Sequence, residues 1–194
     1  MPTFILSQET AEKVADKPHP KRLDIYATIS THPSTSSRPS LASTTPASLH
    51  ACLEANTTAP FLALKYAPAA MRKTTPKGNY ANAAPKDQVY GSIVLVVDSP
   101  VGFDPAFTIA SHAARGVVKA GVPALKGSGI RINSVSAGGV SASDGEKEGA
   151  ERRGSPVEVA RVVGFLASGF SSFVTGSDVI VDGGRGVLGS LGAV

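Results

Sequence analysis

The sequence predicts an α/β protein, a doubly wound parallel sheet of about five strands with helices on both faces. Three observations carry this. The run Ile93-Val94-Leu95-Val96-Val97 is apolar without alternation, as a strand buried on both faces must be. Two further short apolar segments, Ile130–Val135 and Asp178–Val181, run into small-residue stretches, Ala137-Gly138-Gly139 and Asp182-Gly183-Gly184. Stretches of helical spacing separate these segments, and strands that alternate with helices pair in parallel through right-handed crossovers.

The elements follow in order. Phe4-Ile5-Leu6 is a short strand candidate, and Ser7 caps a helix that carries Glu9 in its first turn and ends before Pro18. Leu23–Ile29 is the next strand, and residues 31–47 are a polar loop rich in Pro, Ser and Thr. Leu49, Leu53, Phe61, Leu64 and Met71 define a long helix over 48–72, which Pro60 and Pro68 are expected to bend. Residues 73–90 have little apolar content and read as a mobile surface insertion. After the strand 93–97 come a helix over 105–125, the strand 130–135 and a charged, Gly-rich loop over 141–154. Ser155-Pro156-Val157-Glu158 then starts a helix: a Ser cap, Pro at the first helical position, and Glu completing a capping box. That helix ends near Ser168, and the strand 178–181 closes the fold, with residues 1–194 forming a single domain.

Composition narrows the function classes. A chain of 194 residues with 42% apolar content buries one real core. The net charge of +4 is not gathered into a basic run; Lys21-Arg22 and Arg152-Arg153 are isolated pairs, so no nucleic-acid partner is expected. One cysteine, Cys52, excludes a disulfide within the chain and a cysteine metal cluster, and points to a reducing compartment. No metal is expected. Residues 1–6 are too short and uncharged for a leader, and no apolar run approaches the ~20 residues of a membrane span. The expectation is a cytoplasmic protein without a membrane partner.

Three stretches, "GIRINSVSAGG" (129–139), "RRGSPVEVARVVGFLAS" (152–168) and "SSFVTGSDVIVDGG" (171–184), resemble the short-chain dehydrogenase/reductase family: its sixth strand with the Pro-Gly loop, the following helix, and the last strand. "EANTTAPFLALKYAPAAM" (54–71) is similar to the family's long helix, with its Asn at Asn56, and "GSIVLVVDS" (91–99) to the strand bearing the catalytic Ser. The resemblance implies a shortened Rossmann-like sheet. It also implies that the loop at Gly138 and Gly139 lies against the nicotinamide half of a dinucleotide.

The chain departs from the family elsewhere. No glycine occurs between residues 1 and 50, so the turn that holds a pyrophosphate is missing, and Glu9 stands where a phosphate would sit. About two strands and two helices are absent. The family's Asn-Asn-Ala-Gly loop aligns with Thr28-Ile29-Ser30-Thr31. The family's Tyr and Lys fall on Phe107 and Ser111, or on Thr108 and His112 with a shift of one, and its Ser falls on Asp98 or Ser99. Neither frame keeps an acid/base pair, so the family's redox mechanism and tight NAD(H) or NADP(H) binding are not expected, and no cofactor is assigned.

The expected function is a repurposed, non-redox step on a small organic, natural-product molecule: isomerisation, dehydration or other lyase chemistry, or cyclisation. Histidine is the one side chain whose unperturbed pKa lies near neutrality, and with Asp98 to orient it His112 would move a proton beside a carbonyl. The catalytic candidates are His112, Asp98, Ser99, Thr108 and Ser111; the substrate-binding candidates are Asn56, Phe107, Ser136, Gly138 and Gly139. Two alternatives are an NAD(P)-dependent oxidoreductase with a remnant cofactor site and a non-catalytic dimerising relative. A homodimer or homotetramer is expected from pairing of the helices 48–72 and 105–125, with Ala110, Ala113, Ala114 and Val117 allowing close approach and Cys52 on the other helix.

Overall fold

The computed structural model describes residues 25–29, 40–74, 85–98, 104–141, 147–148 and 151–190. The strand expected at 4–6 and the helix after it lie outside these residues. The described chain runs β1 (Ile25–Ile29), α1 (Pro46–Leu53), a π-helical turn (Glu54–Thr58), α2 (Ala59–Met71), β2 (Gly91–Asp98), α3 (Pro105–Ala124), β3 (Ile130–Ala137), β4 (Lys147–Glu148), β5 (Glu151–Arg152), α4 (Pro156–Ala167), β6 (Asp178–Val181) and α5 (Arg185–Ser190). Single turns of 3-10 helix occupy Leu41–Ser43 and Gly169–Ser171.

The main sheet is parallel throughout, in the order β1-β2-β3-β6. It has four strands among the described residues, against the expected five or so. Register follows from burial. In β2, Ile93, Leu95 and Val97 face α2 and α3 with Ile130 and Ile132 of β3, in a core that includes Met71, Ala114 and Val118. Val94 and Val135 point the other way, onto Val159 and Leu166 of α4. A strand covered by helices on both faces needs no polar side, which is why β2 shows no alternation. The carboxyl ends of β2, β3 and β6 come together at Asp98, Ala137 and Val181.

Three expectations are corrected. A π turn at Glu54–Thr58, with buried Asn56 in it, interrupts the long helix directly before Pro60, and Pro68 lies inside α2. The end of the segment before β2 is anchored at Lys86, which is fully buried, its Nζ donating to the carbonyls of Met71 (2.6 Å) and Tyr90 (2.8 Å), over the Tyr90 ring. A low apolar count concealed a lysine that caps the end of α2, where the helix dipole favours a cation. Residues 75–84 of that segment lie outside the described chain. The expected loop 141–154 holds the two-stranded β4–β5 hairpin and is pinned at both ends, by Gly154 N–H to the Gly139 carbonyl and Ser141 N–H to the Gly154 carbonyl, 3.0 Å each.

Two of the alanines expected at a helix–helix interface are spent inside the chain. Ala110 and Ala114 are fully buried, and Ala110 packs with Ala106 against Cys52 of α1. Small residues on α3 let α1 approach closely within one molecule. No helix among the described residues is long and apolar enough to cross a membrane.

Candidate functional site

Ligands of parallel α/β sheets enter at the carboxyl ends of the strands. Two polar assemblies occupy that end here, on opposite faces of the sheet.

On the α3 face, Arg115 organises a partly exposed network around buried Ser136. Its Nε donates to Ser136 Oγ and to Asp178 Oδ2, both at 3.1 Å. Its Nη2 donates to the Asp98 carbonyl (2.6 Å) and to Ser136 Oγ (3.0 Å). Ser134 and Ser136 both donate to Asp178, at 2.7 and 2.8 Å. The strand period places Ser134 and Ser136 on one face, so the network ties α3 to β2, β3 and β6. One turn above Arg115 on the same helix face, Ser111 is buried, and neither its Oγ nor the buried Arg115 Nη1 has a hydrogen-bond partner among the described residues.

The expected site residues are placed as follows. Phe107 is buried in the first turns of α3 and its N–H is capped by Asp104. Thr108 is half-buried, and its carbonyl accepts the Nδ1–H of His112 at 2.8 Å. A carbonyl only accepts, so this bond fixes the proton on Nδ1. His112 is exposed, and its hydrogen bond stays within its own helix, so the ring is not held by Asp98. Asp98 ends β2, and its backbone carbonyl, not a His112 contact, joins it to Ser136 through Arg115. Asn56 is buried and donates to the Cys52 carbonyl across the π turn. Ser99 lies outside the described residues. The proton-transfer pair that the spacing suggested is therefore not assembled: helix geometry turns His112 outward, away from the face that carries Ser111 and Arg115.

On the α4 face lies a cavity of about 370 Å³. Gly138, Val140, Val159 and Val181 form its apolar wall, and Arg152, Glu158, Asp182 and Arg185 supply its charges. Of the nine expected residues that are described, Gly138 alone is in its lining. Gly138 N–H donates to the Val181 carbonyl at 3.1 Å, which sets the loop across the end of the sheet. Gly139 has φ +62° and abuts the Arg185 side chain. Glu158 accepts from Arg152 at 2.8 and 2.9 Å and from Ser155 N–H at 2.8 Å. These bonds hold its carboxyl down at about 2. Asp182 is buried and accepts from the N–H groups of Gly184 and Gly186, 2.8 Å each.

The sequence reading missed Arg115, Asp178, Arg152 and Arg185 as members of the site. Arg115 carried a signal: a charge inside the apolar stretch Ala113–Val118 that the helix cannot turn fully to solvent. Arg185, directly after Asp-Gly-Gly, carried none.

The comparisons agree with this architecture. A family model described as enoyl-(acyl carrier protein) reductase matches residues 7–185. The chain is 30% identical to a 3-alpha-(or 20-beta)-hydroxysteroid dehydrogenase of Mycobacterium bovis, over 68% of this chain and 50% of that protein. It is 43% identical to a cyclohexanol dehydrogenase of Acinetobacter sp., over 40% of this chain and 34% of that protein. Acetoin dehydrogenase YohF from Salmonella typhimurium has the same fold, with a TM-score of 0.67 at 23% identity, covering 84% of this chain and 64% of that one. The chain belongs to the short-chain dehydrogenase/reductase family. It spans about a third to a half of the length of these two curated relatives.

The family implies a nicotinamide dinucleotide, and the residues present fit one end of it. Gly138 lines the cavity with bare backbone, as close approach of a flat ring requires. The pyrophosphate end does not fit: the first glycine of the chain is Gly78, so no glycine turn precedes it.

Proposed function

We propose that this chain keeps the substrate-side half of a nicotinamide-dependent oxidoreductase site and acts slowly on a small hydroxy or carbonyl compound, with the dinucleotide weakly held. The cavity beyond the ends of β3 and β6, with Gly138 in its wall, carries this reading. The relatives' names support it: the curated proteins above are a cyclohexanol dehydrogenase and a hydroxysteroid dehydrogenase. Phe107 has no proton to give, and a Ser111 hydroxyl is too weak an acid for the task, so solvent must supply or take the proton. A non-redox step is the second reading. The Phe107 and Ser111 replacements favour it, but exposed His112, hydrogen-bonded to its own helix, weakens it.

Fluorescence titration with NADH and NADPH tests the reading, followed by turnover of cyclohexanol at saturating NAD or NADP. We expect dissociation constants of roughly 100 μM or weaker, equivalent to about −5.5 kcal/mol or less favourable. Cofactor-dependent turnover should be slow, and His112→Ala should leave it unchanged. Absence of cofactor-dependent turnover, or its loss in His112→Ala, overturns this reading. A low-micromolar constant overturns the claim of weak binding.

A further inference from the structure

We propose that Ser111 and Arg115 of α3 form an enclosed binding site for an internal water molecule, at the seam between α3 and the carboxyl ends of β2, β3 and β6. The site lies on the face of the sheet opposite the cavity and is independent of the function proposed above.

Hydrogen-bond accounting provides the first observation. Asp178 accepts from Ser134, Ser136 and Arg115 Nε. The Ser136 hydroxyl donates to Asp178 and accepts from Arg115 Nε and Nη2, and Nη2 donates also to the Asp98 carbonyl. Two atoms stand outside these bonds: Arg115 Nη1 and Ser111 Oγ are buried and have no partner among the described residues. Ser111 is only 2% exposed, and its hydroxyl does not donate back to the Phe107 carbonyl, the usual recourse of a serine inside a helix. A dry guanidinium N–H and a dry hydroxyl would each carry the penalty of lost hydration.

Helix geometry provides the second. Ser111 and Arg115 are four residues apart, so their side chains are neighbours along one face of α3. A molecule between them accepts from Nη1 and shares a hydrogen bond with Oγ, and buried waters bridge such groups.

Size and charge choose the occupant. Both atoms are shut off from solvent, so the occupant is small. Arg115 is already paired with Asp178 at 3.1 Å. A halide would add a net negative charge to that neutral pair, whereas water adds none. Water also accepts from the guanidinium and donates to the hydroxyl oxygen, and a halide only accepts.

Oxygen-17 magnetic relaxation dispersion, which counts long-lived internal waters, tests the proposal together with thermal unfolding. Ser111→Ala should remove a long-lived water from the count and lower Tm by about 2–4 °C, as the loss of a hydrogen bond does in a chain of this size. The sign separates the readings. Were the hydroxyl dry, alanine would remove an unsatisfied group and add helix propensity, and Tm would rise. Should Ser111→Ala fail to fold by circular dichroism, Ser111→Asn, whose amide oxygen takes the water's place, is measured instead and should also remove a water from the count. An unchanged water count, or a rise in Tm in Ser111→Ala, overturns the proposal. A wild-type Tm that rises with chloride over sulfate at equal ionic strength, in a manner Ser111→Ala abolishes, assigns the site to a halide and likewise overturns it.

Discussion

Glu158 joins three elements through one carboxylate. It closes the capping box of α4 at Ser155, holds Arg152 at the end of the β4–β5 hairpin, and borders the cavity. Hydrogen bonding from Arg152, and then from Ser155 N–H, lowers its carboxyl from the ordinary 4.5 to about 2. The folded form thus binds its proton less readily than the unfolded chain, so the contribution to stability is present above pH 4.5 and lost as pH falls towards 2. Arg152→Ala removes the largest cause. Carboxyl-carbon NMR should then show the Glu158 titration moving up towards 4.5. A titration midpoint that stays near its original value in the variant would show that the Arg152 bonds are not what hold the group ionised.

At the level of the element, α4 is held to the sheet by its carbonyl end. Arg131, on the α4 face of β3, donates to the carbonyls of Leu166 (2.9 Å) and Ser168 (3.0 Å) and to Ser171 Oγ (2.9 Å). Ser92 Oγ on β2 donates to the same Leu166 carbonyl. A helix end leaves carbonyls that need donors, and a cation there also meets the negative end of the dipole. Burial lowers the Arg131 pKa, the cost of placing the charge at this seam. Arg131→Met keeps the stem but strands the carbonyls. It should destabilise the fold by about 2–3 kcal/mol, which lowers Tm by roughly 4–12 °C for a chain of this size. A loss below about 1 kcal/mol in urea unfolding would mean that water replaces the guanidinium without penalty.

The molecule as a whole leaves an apolar surface beside β6. Phe170 and Phe173 are almost wholly exposed, and Phe165 and Ile180 about half. Among the described residues the outer edge of β6 has no strand against it. Exposed apolar patches of this kind are covered by association. We therefore expect a homodimer through this face, rather than through Ala110 and Ala114, which are already buried. Light scattering at micromolar concentration should give twice the chain mass, and Phe173→Glu with Ile180→Lys should return it to one. A wild-type monomer at that concentration refutes the expectation.

Local sequence was enough for the fold class and most of the elements. The unbroken run at 93–97 could only be a doubly covered strand, and Ser155-Pro156-Val157-Glu158 encodes its own helix start, because capping acts within four residues. The family resemblance likewise rests on contiguous stretches. The placement of the site did not follow from spacing. His112 and Asp98 fall at the resembling catalytic positions, yet a shift of one residue turns a helix by about 100° and separates a cleft residue from a surface one, and helix phase is set by what α3 buries, Ala110, Ala114 and Val118. Lys86 was hidden for a similar reason: its partners, the carbonyls of Met71 and Tyr90, are backbone atoms that no composition reveals. Arg115 meets Asp178 across 63 positions, and Arg185 reaches the cavity only because Gly139, 46 positions earlier, has no side chain in its path. Such contacts exist once the sheet has formed in its register, so tertiary structure alone decided which charges surround the cavity.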